Sequence, residues 1–208
     1  MYIIDTESKH SKKIEAVTFS SLGLKEREDL QEWIVNDPTI LGEELLIIQK
    51  EFSGFSDTNE RLDLLAIDQK GNLVIIENKL DDSGKDVTWQ AMKYASYCST
   101  LGKDGVRRIY QDYLNKTDPG LTAEKKICDF LKKSDFDEIQ LNHDLSQRII
   151  LVAREFRKEV TSTVLWARKF RIQIQCIKVI PYMFKGNLLL DTEQIIPVKD
   201  FADIIISL

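Results

Sequence analysis

Two apolar stretches flank a polar turn near the middle of the chain. Leu62-Asp63-Leu64-Leu65-Ala66-Ile67 leads into Asp68-Gln69-Lys70-Gly71-Asn72, and Leu73-Val74-Ile75-Ile76-Glu77-Asn78-Lys79 leads out. Apolar runs bracketing a Gly- and Asn-bearing turn predict a β-hairpin. Val74, Ile75 and Ile76 are apolar on both faces, so the second strand is central rather than a solvated edge. Side chains repeat every two residues along a strand, which puts Glu77 and Lys79 on one face. A hairpin symmetric about Lys70 sets Asp63 opposite Glu77 and Arg61 opposite Lys79.

The same patterning extends over the rest of the chain. Tyr2 to Ile4 and Ile14 to Phe19 read as short strands. A helix over 25–36 ends at Pro38, with Leu30, Trp33 and Ile34 on one face and Glu26 on that face too. Residues 44–52 lead into a strand. Asp86 is a candidate N-cap for a helix reaching Leu101. Two further helices, 104–117 and 122–133, are divided by Asp118-Pro119-Gly120. The strand 148–153, the helix 155–170 and a strand carrying Ile172, Ile174 and Cys176 form a βαβ unit, with an edge strand over 186–191. The predicted fold is α/β: a mixed central sheet flanked by helices, with a short N-terminal β decoration. One domain over 1–208 divides into the decoration (1–23), a motif-bearing half (24–101), a helical insert (102–147) and the βαβ half (148–208).

Composition narrows the function classes. With 208 residues, 43% of them hydrophobic, the chain can bury a sizeable core in one domain. No signal-peptide layout opens it, and no apolar run approaches the roughly 18 residues of a spanning helix. A soluble, cytoplasmic protein is expected. Cys98, Cys128 and Cys176 lack C-x-x-C spacing, which fits reduced thiols rather than a zinc site. His10 and His143 are the only histidines, a poor basis for histidine chemistry. No Gly-rich phosphate loop or G-x-S-x-G is present. The net charge of −5 argues against a generic nucleic-acid coat, yet 148–171 holds seven basic residues against Glu155 and Glu159. Arg154, Arg157, Lys158 and Arg168 in that stretch either contact phosphates or form a solvated helix face.

The hairpin holds the candidate chemistry. Like charges directly opposed destabilise a hairpin, so Asp63 and Glu77 on apolar strands call for a cation between them. Hard cations such as Mg2+ accept such ligands. A structural ion pair with Arg61 or Lys79 uses the same residues. Gln90 and Tyr94, at i and i+4 on the next helix, offer an amide and a phenol on one face, or belong to its apolar stripe. Glu26 is a third carboxylate, or an N-terminal charge favoured by the helix dipole. Glu28 and Glu44 compete for the same place.

In chain order, Glu26, Asp63, Glu77-Asn78-Lys79 and Gln90-x-x-x-Tyr94 resemble the motifs of the PD-(D/E)xK nuclease superfamily, and most closely the nuclease domain of NucS-type endonucleases. The likeness covers residues 24–101, and 148–180 looks like the second half of that core. It implies a restriction-endonuclease-like α/β/α core and a DNA endonuclease. Asp63 and Glu77 would hold Mg2+ or Mn2+. Lys79 would orient the attacking water and stabilise charge, and Glu26 would complete the acidic set. Gln90 and Tyr94 would support the scissile phosphate or the metal shell. DNA is the implied partner, and a second copy of the chain a candidate one. Leu62 stands where the family name has Pro, Asn78 takes a position that is often apolar, and residues 1–23 are too short for the N-terminal DNA-binding domain of NucS-type enzymes. The competing reading is a nuclease-fold module without catalysis that binds nucleic acid or a protein.

Overall fold

The computed structural model describes residues 1–55, 60–144 and 146–198. A ribbon of β1 (Tyr2–Ile4) and β2 (Ser11–Lys13) precedes a six-stranded sheet. Its strands lie side by side in sequence order: β3 (Leu45–Phe52), β4 (Leu62–Asp68), β5 (Leu73–Asn78), β6 (Arg148–Ala153), β7 (Gln173–Phe184) and β8 (Asn187–Ile196). Neighbours pair antiparallel except β5–β6 and β6–β7, which are parallel. Parallel neighbours need a crossover. Between β5 and β6 the chain makes α2 (Val87–Cys98), α3 (Lys103–Thr117) and α4 (Ala123–Leu131), and between β6 and β7 it makes α5 (Lys158–Arg168). Ahead of the sheet, a π-helical turn over Glu26–Leu30 runs into α1 (Gln31–Asn36).

Strand alternation divides the core in two. Leu65, Ile67, Ile75, Ile149, Leu151 and Ile174 face α2–α5, packing with Ala91, Tyr110, Ile127 and Val164. Leu64, Ala66, Val74, Ile76, Ile150 and Val152 face the other way, onto Phe19, Leu30 and Ile34. The result is a mixed sheet between helical layers, as the patterning requires. No helix among the described residues is long and apolar enough to cross a membrane.

The hairpin has the expected register, with Leu64 opposite Ile76 and Ala66 opposite Val74. Its turn is built on Asp68, whose Oδ1 accepts from Lys70 N at 2.8 Å and Asn72 N at 3.0 Å. Gly71 sits at φ +82°, and a Cβ there would lie 2.4 Å from the Gln140 carbonyl oxygen. Backbone conformation and space both require glycine at this position.

Elsewhere the boundaries differ from the patterning. Ile14–Phe19 is not a strand. Asp5 Oδ1 accepts from Glu7 N and Ser8 N at 2.9 and 3.0 Å, and the tight loop this closes brings Ser11–Lys13 opposite Tyr2–Ile4. Val17 N instead donates to Pro181 O at 2.9 Å, and Phe19 is fully buried against the sheet. The strand expected around 172–176 continues to Phe184, because Ile177, Val179 and Tyr182 also find burial and β8 pairs along its length. The edge strand expected to stop at Asp191 reaches Ile196.

At the turn end of the hairpin, Arg148 closes an ion-pair network. Its guanidinium donates to Glu43 at 2.5 and 2.8 Å, to Asp68 at 2.9 Å and to Gln175 at 2.6 Å. Burial alone would push the Asp68 carboxyl up, but hydrogen bonds from Asn72 and Arg148 hold it below its ordinary value. Arg148→Met would strand two acidic partners. We expect it to lower stability by about 3 kcal/mol in urea denaturation, whereas a loss near zero would mean water already satisfies the site.

Candidate active site

The opposite end of the hairpin is built differently. The β4–β5 pairing of residues ends at Leu64 and Ile76, and the next pair along is Asp63 and Glu77. Beyond it the strands part. Asn78 N is taken by Asp63 Oδ2 at 2.8 Å rather than by a main-chain carbonyl, while Lys79 N still donates to Val152 O on β6 at 2.8 Å. A side chain thus substitutes for the ladder where β4 leaves β5, and the opening lies at the C-terminal end of β5.

Both carboxylates are buried in this opening. Asp63 is 5% exposed and Glu77 is 0% exposed. Among the described residues, neither oxygen of Glu77 accepts a well-formed hydrogen bond, and the Asp63 main-chain N–H bears on the carboxylate only weakly. Burial pushes Glu77 up to about 9, reinforced by the charge of Asp63 and opposed by Lys79. Burial likewise raises Asp63 to about 6, against the Asn78 N–H and Lys79. Buried oxygens without donors are the arrangement that a hard cation satisfies. Asp63 and Glu77 are the residues that would hold one. Among the described residues, no three carboxylate, histidine or cysteine side chains form a closed metal cage. Water and phosphate oxygens would have to complete the shell, the usual arrangement for Mg2+.

Glu26 reaches the same place from the other side of the sheet. It begins the π-helical turn, in which Leu30 N bonds back to Lys25 O at 3.3 Å, and its Oε1 lies 3.5 Å from Lys79 Nζ. π-turns are often found at functional sites. The turn replaces the regular α spacing expected here, and it leaves Leu30 buried while Glu26 is half-buried beside Lys79. Of the three glutamates weighed for the third acid, Glu26 is the one brought to the pair. Glu28 is on the surface with Lys25 at 2.7 Å, and the exposed Glu44 accepts from Gln69 at 3.0 Å.

Gln90 and Tyr94 are neighbours, with Gln90 Nε2 donating to the Tyr94 hydroxyl at 3.3 Å. The phenol is buried and donates to Arg61 O at 2.9 Å, and its ring stacks on Phe55 at 5.5 Å. Its proton is therefore committed to the main chain two residues before Asp63. By this geometry Tyr94 helps to position β4. Gln90 remains partly exposed at the rim.

The basic residues separate. Arg154 meets Asp81 at 3.5 Å and Glu155 at 3.0 Å, and Arg157 binds Asp82 at 2.6 Å. These arginines and the exposed Lys158 stand near the loop that follows Lys79. Asp81 in that loop also accepts from Phe19 N at 2.9 Å and Ser20 N at 3.1 Å. Arg168 does not join them. α5 runs back against β6, so its last turn lies at the opposite end of the sheet, where Arg168 donates to Ile174 O at 2.8 Å. It lines a polar cavity there with Asp68, Lys70 and Arg148.

Sequence patterning did not single out Glu51. A bulge between Ile47 and Gln49 shifts the β3 register by one, and the flanking pairs Lys50–Leu64 and Phe52–Leu62 put Glu51 opposite Asp63. Without the bulge, Lys50 would stand there. Glu51 has a left-handed φ of +51°. It is held between Arg27 and Arg61, each at 3.2 Å. Nothing in the local sequence marks the bulge, since Gln49-Lys50-Glu51 reads as an ordinary polar strand end.

No protein-family model and no curated protein matches this sequence. Among solved structures, similarity is found to a repair endonuclease from Pyrococcus abyssi, at 15% identity and a TM-score of 0.37, over 74% of this chain and 47% of that one. An EndoMS–dsDNA complex is similar at 13% identity and a TM-score of 0.35, over 81% of this chain and 48% of that one. The chain spans about half the length of each. Likeness this low assigns neither a family nor an activity, which rest on the residues themselves.

The raised carboxyls couple stability to pH. In the unfolded chain both groups lose their protons in the ordinary carboxylate range, whereas the folded chain keeps them to about 6 and about 9. Folding therefore takes up protons between those limits, and the metal-free protein should lose stability as pH rises from about 4 to about 9. Glu77→Gln should flatten this slope and melt above wild type at the alkaline end. An equal slope in the variant would assign the dependence to other groups.

Proposed function

We propose that this chain is a divalent-metal-dependent nuclease that hydrolyses DNA phosphodiester bonds, with Asp63 and Glu77 as metal ligands. The observation that carries this reading is the buried Glu77 carboxylate, whose oxygens accept no well-formed hydrogen bond among the described residues, set opposite Asp63 with the Lys79 ammonium close by. A purely structural ion pair is a weaker account. Lys79 lies nearest Glu26, and the Glu77 oxygens behind it accept no well-formed hydrogen bond among the described residues. The order of motifs along the chain, which resembles PD-(D/E)xK nucleases, supports the same assignment.

Mg2+ or Mn2+ bound there would supply Lewis-acid polarisation of a phosphate oxygen and an acidified water. The chain's own residues supply the rest. Hydrolysis forms a bond from the water oxygen to phosphorus and breaks an ester P–O bond, and negative charge builds on the phosphoryl oxygens meanwhile. Lys79 lies at the mouth of the opening, where a fixed ammonium stabilises that charge. Glu26 holds the ammonium in place through its 3.5 Å contact. Tyr94 fixes the approach of β4 to Asp63, and Gln90 lies at the rim on the substrate side. The exposed Lys158, with Arg154 and Arg157 beside it, would meet flanking backbone phosphates.

Two measurements test this. Asp63→Asn removes one of two opposed carboxylates, so the metal-free variant should be as stable as wild type or more so, while Mn2+ should no longer raise its melting temperature. A Mn2+ shift equal to that of wild type would take Asp63 out of the site. In single-turnover cleavage of linear, circular, single-stranded and branched DNA with Mg2+, Mn2+ or EDTA, Lys79→Ala should be about 100-fold slower or more. Its DNA binding should change little. If wild type cleaves no DNA form with either metal, or Lys79→Ala cleaves at the wild-type rate, the better account is a non-catalytic binding module.

A further inference from the structure

The first two turns of α2 send one face inward. Val87, Thr88, Ala91 and Tyr94 are all buried, but Trp89 between them is 69% exposed. It forms one wall of a cleft of about 580 Å3 whose other walls are Arg27, Glu60, Arg61, Asp86, Gln90, Lys93 and Tyr94. That volume lies within the range of roughly 300–1,000 Å3 typical of small-ligand sites. The cleft opens beside the candidate active site. Arg61 stands just ahead of β4, two residues before Asp63, and Arg27 follows Glu26 directly.

The two arginines are arranged by a single acid. Glu51 receives Arg27 through one carboxylate oxygen and Arg61 through the other, each at 3.2 Å. The Arg27 and Arg61 side chains are 60% and 50% exposed, and each meets Glu51 through one nitrogen, so donors remain for another anion. Lys93 pairs with Glu60. Glu51, Glu60 and Asp86 thus offset Arg27, Arg61 and Lys93, and the cleft is not a strongly basic groove. Long-range attraction to a phosphate backbone is weak here, and affinity has to come from contacts at short range. A planar indole and two forked guanidiniums provide such contacts, one for an aromatic face and the others for a phosphate.

We propose that this cleft is a nucleotide subsite, in which Trp89 stacks on a base of an unpaired strand while Arg27 and Arg61 hold the attached phosphate. The proposal rests on the nuclease reading for its place beside the scissile bond. It adds the form of substrate, because a base inside a duplex has both faces covered by its neighbours and offers none to an indole. Stacking of this kind tolerates any base.

The test measures binding by fluorescence anisotropy in EDTA, so that no cleavage intervenes. Wild type, Trp89→Ala and Trp89→Phe are compared on a single-stranded oligonucleotide, on a strand of the same length made of abasic sugar-phosphate, and on the fully paired duplex. Trp89→Ala should weaken single-strand binding about tenfold, with Trp89→Phe close to wild type. The abasic strand and the duplex should bind the variants alike. The subsite is overturned if Trp89→Ala binds the intact strand as wild type does, if it loses equally on the abasic strand, or if wild type binds no oligonucleotide. Cleavage with Mn2+ by the same proteins separates this from the parent reading. Metal-dependent cleavage with an unaffected Trp89→Ala removes the subsite and leaves the nuclease. Trp89-dependent binding without cleavage by wild type does the reverse.

Discussion

Two carboxylates lie opposed at the end of a central β-hairpin, and most of the local structure answers to that placement. Because Asp63 takes the amide of Asn78, the β4–β5 ladder stops one pair early while β5 stays with β6. The gap opened in this way buries Glu77 without giving its oxygens a well-formed hydrogen bond among the described residues. Glu26 and Lys79 close over the gap from the helix side, and Tyr94 secures the approach of β4. Removing the opposition of Asp63 and Glu77 would leave these arrangements without a physical reason.

The two ends of the hairpin handle buried charge in contrasting ways. At the turn, Asp68 is surrounded by donors from Lys70, Asn72 and Arg148, and its carboxyl is held below its ordinary value. At the open end, burial raises both Glu77 and Asp63, with the charge of Asp63 adding to the first and those of Glu26 and Glu51 to the second. One chain segment thus carries a closed polar network and an open one only a few residues apart. Closed networks rigidify a fold, and open ones are found where a protein must accept something from outside.

Much of this was legible in the sequence. Apolar runs around Asp68–Asn72 were enough to fix the hairpin register, because a slip of one residue would turn Leu64, Ala66, Val74 and Ile76 to the wrong face. Three features were not legible. The bulge that brings Glu51 opposite Asp63 leaves no mark in composition, and the π-turn at Glu26 adds one residue that helical periodicity does not foresee. Arg168 shares a helix with the residues near the loop, but the direction of α5 carries it to the far end of the sheet. In each case a displacement of one residue or one helix length, invisible to local pattern, set the partner.

The loop after Lys79 has a consequence for where this domain starts. Asp81 takes the amides of Phe19 and Ser20, and Val17 bonds to Pro181 on β7. The stretch ahead of the first helix is therefore a buckle, joining the exit of β5 to the far side of the sheet. A fragment trimmed back to residue 24 would keep every candidate catalytic side chain and still lose the fastening that holds their strand ends in place. The working boundary of the unit lies upstream of Val17, set by backbone contacts rather than by the motifs.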